Sequence, residues 1–350
     1  MITKLNLKQF RNHKLLELPI KSNLVAITGP NASGKTNILE SIYISSISKS
    51  FRSSDAKLIT YGEEFYTIDR YEDDINIHIR YTTSNGSGSK KIRYQNKYIP
   101  IKDMIGKNPV VLFEPKELDL LIGLPAIRRR YLDQLLSQTD PKYLSNLKSY
   151  KKLLTSRNSL LRRSKKQTIH NLGELLFILN IQIVEPAMYL IQARKKLIND
   201  IQEIITSHYT NISKTKTDIV INYQPSAESE DQLISMIEQN TSRDMVVGYS
   251  SVGPHREDFK VMFNSHNIED NASRGEVRSL VLAFKLSELE YIQKVLHKRP
   301  TLLLDDVLSE LDDNRQTYLL NNLSSQQTFI TTTHLPVKIK PNFQHIELPL

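Results

Sequence analysis

Gly29-Pro30-Asn31-Ala32-Ser33-Gly34-Lys35-Thr36 is the stretch that decides the fold of this chain. It matches G-x-x-x-x-G-K-[ST], and it lies where that spacing has chemical meaning. A short apolar run, residues 24–28, stands ahead of it, and a helical pattern runs from 36 to about 50. A strand that turns through glycines into a helix aims backbone N–H groups and the positive helix end at one point, which suits a phosphate. Residues 29–36 are therefore expected to cradle a nucleotide. Lys35 should reach the β- and γ-phosphates, and the Thr36 hydroxyl should hold Mg²⁺. An ordinary glycine turn is the plain alternative, and the flanking strand and helix count against it.

A second apolar strand, Thr301-Leu302-Leu303-Leu304, ends in Asp305-Asp306. Parallel strands carry such carboxylates to the sheet edge where the phosphate loop lies. Asp305 would join the Mg²⁺ shell, and Asp306 would orient or deprotonate a water. Taken alone, a buried strand with an acidic turn explains the pair equally well. Ser273-Arg274-Gly275-Glu276 opens an amphipathic helix with Val277, Leu280, Val281, Phe284 and Leu289 on its apolar side. Ser273 and Glu276 satisfy a capping box. The same segment is similar to the Ser-x-Gly-[Gln/Glu] signature of ABC-type heads, which binds the γ-phosphate held by an opposite subunit. Ser309-Glu310-Leu311-Asp312 looks like the D-loop of that class, with a plain N-cap as the equal alternative. His334 follows a strand and is a candidate switch histidine, although a surface histidine explains it more simply. No Q-loop glutamine is placed.

Around these motifs the chain changes character twice. Residues 60–113 carry short alternating pieces (75–81, 91–94) split by a Gly/Ser loop at 84–89, the pattern of antiparallel hairpins, and 110–113 is a buried strand. From 128 to 207 helical spacing dominates, and Pro186 is expected to kink or split the second long helix. Strand character returns at 218–223. A helix (276–296), a strand (301–304), a helix (313–323) and a strand (328–332) then alternate to the end. The expected architecture is α/β. An ABC-type P-loop ATPase head, a Rad50-like lobe with a mixed sheet, is built from residues 1–125 and 245–350. A basic, mainly helical lobe with a helical hairpin, residues 126–244, is inserted in it.

Bulk composition narrows the function. The chain has 350 residues, no cysteine and no tryptophan, so it has neither a disulfide scaffold nor a thiolate metal site. The N-terminal residues lack an apolar h-region and the run 175–184 is too short to span a bilayer, so a cytoplasmic protein without a membrane partner is expected. Net charge is +9. Residues 128–166 hold 12 Lys/Arg against 2 Asp/Glu, and the rest of the chain holds 35 against 36. The whole basic excess thus belongs to one segment. Arg128, Arg129, Arg130, Lys148, Lys151, Lys152, Arg157, Arg162, Arg163, Lys165 and Lys166 are its candidates for DNA phosphate contacts, with a solvated helix face as the alternative.

The order of motifs resembles the RecF family over nearly the whole chain. The likeness is carried by Phe10-Arg11-Asn12-His13, Lys35-Thr36-Asn37-Ile38-Leu39-Glu40 and Ser50-Phe51-Arg52. It continues in Phe113-Glu114-Pro115, Arg128-Arg129-Arg130-Tyr131-Leu132-Asp133, Gly253-Pro254-His255-Arg256-Glu257-Asp258, and the run from Leu303 through Asp305-Asp306 to Asp312. Ala32, Val277 and Glu257 depart from the family's usual glycine, glutamine and aspartate. The resemblance implies that Arg11 and Asn12 lie near bound ATP. It implies an ATP-dependent homodimer that binds single-stranded, gapped or junction DNA, acts with RecO and RecR to load recombinase, and supports replication restart and the SOS response. It implies a slow, DNA-stimulated ATPase. An SMC- or Rad50-type structural head, or a nucleotide-binding module without a repair role, is the rival reading. The first would need a far longer coiled-coil insertion.

Overall fold

A computed structural model of the chain describes residues 1–84, 87–323, 326–333 and 343–349. The chain forms two compact units, Met1–Leu118 with Arg278–Leu350, and Asp119–Val277. The first unit opens with β1 (Ile2–Phe10), β2 (His13–Pro19), β3 (Leu24–Thr28) and α1 (Lys35–Ile47). β4 (Phe65–Glu72), β5 (Ile75–Ser84), β6 (Ser87–Tyr94), β7 (Lys97–Ile99) and β8 (Val110–Phe113) follow. The second unit holds α2 (Pro125–Thr139), α3 (Pro141–Ser164), α4 (Leu172–Ser213), β9 (Ile219–Gln224), α5 (Glu230–Gln239) and α6 (Thr241–Val247). It ends with β10 (Asp258–Phe263), β11 (His266–Asn267) and α7 (Ile268–Asn271). α8 (Arg274–Leu296) carries the chain back into the first unit, which closes with β12 (Thr301–Asp305), α9 (Asp313–Asn321), β13 (Thr328–Thr332) and β14 (Gln344–Glu347).

Two sheets make the first unit. One is antiparallel in the order β2-β1-β4-β5-β6-β7; the other is parallel in the order β14-β3-β13-β12-β8 and draws strands from both ends of the chain. α1 packs against strands of both sheets. That is why it lacks a single apolar face: Ile38, Leu39, Ile42, Tyr43 and Ile44 are buried, and so are Glu40, Ser41 and Ser45 between them. Phe10, Ile42, Ile68, Ile79, Leu303 and Phe329 join one core with them. Each such side chain, fully buried, stabilises the fold by about 1.5–3 kcal/mol.

In the second unit α3 pairs with α4 through Leu147, Tyr150, Leu161, Leu176, Ile183 and Ile191, all buried. α4 runs unbroken through Pro186, which neither splits the helix nor ends it. The flanking Ile183, Val184, Ala187, Met188, Leu190 and Ile191 are buried, and their packing outweighs the roughly 3 kcal/mol that an internal proline costs. Residues 245–277 lie with the helical unit rather than with the ATPase lobe. β10 pairs in register with β9, and Arg128 on α2 makes a bidentate ion pair with Asp258 at 2.7 Å.

Candidate functional site

β3 delivers the chain at Thr28, the loop 29–34 turns it, and α1 takes it away from Lys35. Pro30, Asn31 and Ala32 are exposed. Gly34 is left-handed, φ +100°, and a Cβ there would stand 2.5 Å from His13 Nε2 and 2.7 Å from Asn12 Oδ1. The β1–β2 turn therefore leans directly on the loop. Asn12 Nδ2 donates to the Ala32 carbonyl at 3.3 Å, Asn37 Nδ2 donates to Asn12 Oδ1 at 2.6 Å, and His13 Nε2 lies 3.3 Å from the Gly34 carbonyl. Burial holds the His13 pKa below its ordinary value, against the bond to Gly34.

Arg11 behaves differently from Asn12. Its guanidinium clasps the buried Glu40 of α1 through Nε and Nη2, both at 2.9 Å, and also bonds Ser53 Oγ and the Lys57 carbonyl. Arg52 joins the same carboxylate at 2.8 Å. Burial alone would raise the Glu40 pKa, but the bonds from Arg11, Arg52 and Ser50 bring it below the usual carboxylate value. Arg11 thus braces the helix that follows the loop, while Asn12 touches the loop itself.

Lys35 Nζ donates to the carbonyls of Gly29 and Pro30 at 2.8 and 3.0 Å, curled over the hollow of the loop. Ser33 Oγ is buried there with no partner among the described residues. β12 pairs with β13, and β13 with β3, so Asp305 comes to the edge beside Thr36. Thr36 Oγ1 donates to Asp305 Oδ1 at 2.8 Å, and Thr331 Oγ1 donates to the same oxygen at 2.7 Å. Asp306 takes a left-handed backbone, φ +52°, pinned by its N–H to Thr331 Oγ1 at 3.1 Å. Burial and the neighbouring Asp305 charge raise its pKa, while Lys35 lowers it. Hydroxyl and carboxylate oxygens side by side, next to an orphaned hydroxyl and a lysine, form a donor set fit for a phosphate-bound hard cation.

The signature residues serve as a cap. Ser273 N donates to Glu276 Oε2 at 2.7 Å and Glu276 N to Ser273 Oγ at 3.3 Å, the reciprocal capping box. Ser273 and Arg274 are exposed, and Gly275 is half-buried at the start of α8. Asp312 caps α9 by accepting from Arg315 N at 3.0 Å, while exposed Ser309 donates to the Asp306 carbonyl at 2.7 Å. Arg278 reaches Glu310 at 3.0 Å and Arg315 reaches Ser279 at 2.8 Å, so the D-loop segment is tied to α8. His334 lies outside the described residues.

The basic segment divides in two. Arg128 is buried against Asp258 and Glu269, and Arg157 is buried against Asp244, Asn180 and Ser250. Neither is available as a surface contact: each neutralises a carboxylate inside the unit, and spacing alone hid those partners. Half-buried Arg129 donates to the Glu257 carbonyl at 2.8 Å. Arg130, Lys148, Lys151, Lys152, Arg162, Arg163, Lys165 and Lys166 are exposed. Sequence reasoning missed His13, Asn37 and Thr331 at the loop. Thr331 had a signal, since threonines at the end of a strand beside an acidic strand end can supply a hydroxyl; His13 and Asn37 act through a tertiary approach.

A five-stranded parallel sheet, a phosphate loop entering a mostly buried helix, and an acidic strand end beside it define an ABC-type ATPase head with an inserted helical unit. No family model matches the chain. A DNA replication and repair protein RecF of Agathobacter rectalis is 37% identical over 357 residues, 98% of this chain and 95% of its own length. Its counterpart in Bacillus cereus is 36% identical over 344 residues, 95% of this chain and 92% of its own. The solved structure of the recombination mediator protein RecF-ATPrS in the RecFOR pathway superposes with a TM-score of 0.88 at 30% identity, covering 97% of this chain and 94% of that one. The corresponding RecF-ATP structure gives 0.86 at the same identity, with 97% and 93% covered. An Smc head domain from Pyrococcus furiosus shares the fold, with a TM-score of 0.52 at 18% identity. The chain belongs to the RecF family.

Proposed function

We propose that this protein is an ATP-dependent DNA-binding protein of recombinational gap repair, working as an ATP-driven homodimer. The observation that carries the reading is Thr36 Oγ1 2.8 Å from Asp305 Oδ1, beside Lys35 and Asp306. ATP binds at residues 29–36, with Asn12 on the loop. Lys35 exchanges the carbonyls of Gly29 and Pro30 for phosphate oxygens, and Thr36 with Asp305 holds the accompanying Mg²⁺, which neutralises phosphate charge. The exposed Ser273 and the N-terminus of α8 close on the γ-phosphate of a second subunit, as the capped but accessible N–H groups of a helix start allow. Ser309 and Asp312 accompany them. Asp306 accepts a proton from the attacking water. Loss of the γ-phosphate opens the dimer, so turnover is slow and sets the lifetime of a DNA-bound state.

The exposed cations Arg130, Lys151, Lys152, Arg162, Arg163, Lys165 and Lys166, with half-buried Arg129, supply phosphate contacts. The reading includes cytoplasmic work with RecO and RecR at single-strand gaps and junctions, in replication restart and the SOS response; the relatives' names support a role in DNA replication and repair, and the RecFOR pathway of the solved structures supports the two partners. Asp306→Asn tests the hydrolytic role, because asparagine tolerates the same left-handed backbone. Equilibrium ATP binding is expected to persist while turnover falls at least about 100-fold. Wild-type turnover in the Asn variant would remove Asp306 from the chemistry.

A further inference from the structure

Residues 248–256 follow α6 and bond to side chains of α3 in the helical unit. Ser250 N donates to Asn158 Oδ1 at 2.7 Å, and Tyr150 Oη lies 2.5 Å from His255 Nδ1. Gly248 closes α6 with φ +84°, and a Cβ there would meet Lys165 Cδ at 3.1 Å and Arg162 Cγ at 3.6 Å. The stems of exposed Arg162 on α3 and of Lys165 at its C-cap therefore lie against the residue that precedes Tyr249. Tyr249 is 45% exposed, and its hydroxyl has no hydrogen bond among the described residues. The Arg256 guanidinium sits over its ring, 4.8 Å from the centroid. Arg256 is itself exposed, and its hydrogen bonds are two long ones, 3.4 Å, to the Ser250 carbonyl. Arg129 adds a further cation at the carbonyl of the next residue, Glu257.

A surface tyrosine alone needs no explanation. Tyr249 stands instead in a row of cations, backed by an arginine that keeps most of its donors for solvent, and neither Arg162, Lys165 nor Arg256 has a carboxylate partner among the described residues. We propose that Tyr249 is a base-stacking platform for single-stranded nucleic acid, with Arg256, Arg162 and Lys165 on the flanking phosphates. Unpaired bases offer their π-faces to an aromatic ring whatever their sequence, whereas a duplex keeps those faces stacked inside. Arg256 fixes the ring from one side and adds its charge to the backbone track. This gives the Gly253-Pro254-His255-Arg256 loop a binding role that catalysis does not use. It rests on the DNA-binding reading above and narrows it to the unpaired strand.

Fluorescence anisotropy of the full chain with a labelled single strand, the same strand with internal abasic sites, and a duplex tests it. Tyr249→Ala should weaken single-strand binding roughly tenfold, the size of one stacked base, and leave duplex binding unchanged. Tyr249→Phe should bind like the wild type. The abasic strand should not distinguish wild type from Tyr249→Ala. Arg256→Gln should lower affinity and flatten the salt slope by about 0.7, one single-strand phosphate. Tyr249→Ala binding the single strand as tightly as wild type, or losing duplex and single strand alike, overturns the platform. A wild type that binds neither DNA overturns the underlying reading instead.

Discussion

Ala32 and Asp306 hold backbone angles that L-amino acids avoid. Ala32 has φ +69° at the exposed crest of the phosphate loop, and Asp306 has φ +52° after the acidic strand. Such a conformation costs an alanine about 1–2 kcal/mol. The Asp306 carboxylate lies within electrostatic reach of Asp305 and Lys35, and aspartate tolerates the left-handed backbone better than most residues. Ala32 makes no side-chain bond that would offset it. Ala32→Gly is therefore expected to stabilise the protein by up to about 1 kcal/mol, where glycine usually destabilises, once the larger unfolded-state entropy of glycine is subtracted. Denaturant unfolding of the two proteins checks this; a clear loss of stability would show that the loop relaxes its angle in solution. That strain lay in the sequence as one departure from G-x-x-x-x-G-K-T family usage. Gly34 was legible as the second glycine of the motif, and its φ of +100° favours glycine; what the sequence did not announce is the approach of His13, more than twenty positions away.

At the scale of elements, the loop between α6 and β10 is held by charge and burial. Arg157 pairs with Asp244 at 2.7 Å with both side chains buried, and His255 bridges Tyr150 and the Ser250 carbonyl, the latter at 3.0 Å. Burial, with Arg256 and Arg129 nearby, pushes the His255 pKa down to about 4. The unfolded chain protonates this histidine near 6.5. Its contribution to stability is therefore complete above about pH 6.5 and is lost as pH falls toward about 4, because the unfolded state then binds the extra proton. Chemical denaturation across that window should show a decline in the wild type that His255→Gln reduces; an identical slope in both would mean the ring is solvated. The elements with strong periodicity or a motif at their end were legible: β3, β8, β12, β13, α1 and α8 lie within a few residues of where the sequence puts them. β2 and β14 were not. β2 is an edge strand with Leu15 71% exposed, and β14 has four residues, so neither buries an alternating face. Pro186 misled for the converse reason, since buried packing overrode a local rule. Arg128 and Arg157 looked like their exposed neighbours because charge in a sequence does not show where its counter-charge will fold.

For the whole molecule, the phosphate-loop residues and the basic surface belong to different units, and α8 contributes residues to both. Ser273 caps it, its first turn carries Glu276, and its continuation is tied to the D-loop segment by Arg278–Glu310 and Arg315–Ser279. Nucleotide-dependent DNA binding by a dimer follows if the signature of one subunit closes over the phosphate held by the other. The direct measurement is sedimentation of the protein with labelled gapped DNA, without nucleotide, with ATP–Mg²⁺ and with ADP–Mg²⁺, for the wild type, Lys35→Arg and Ser273→Arg. ATP alone should produce a dimer that carries the DNA, and both substitutions should abolish it. A protein that stays monomeric with ATP, or DNA binding indifferent to nucleotide, would contradict the sandwich and remove Ser273 from the site.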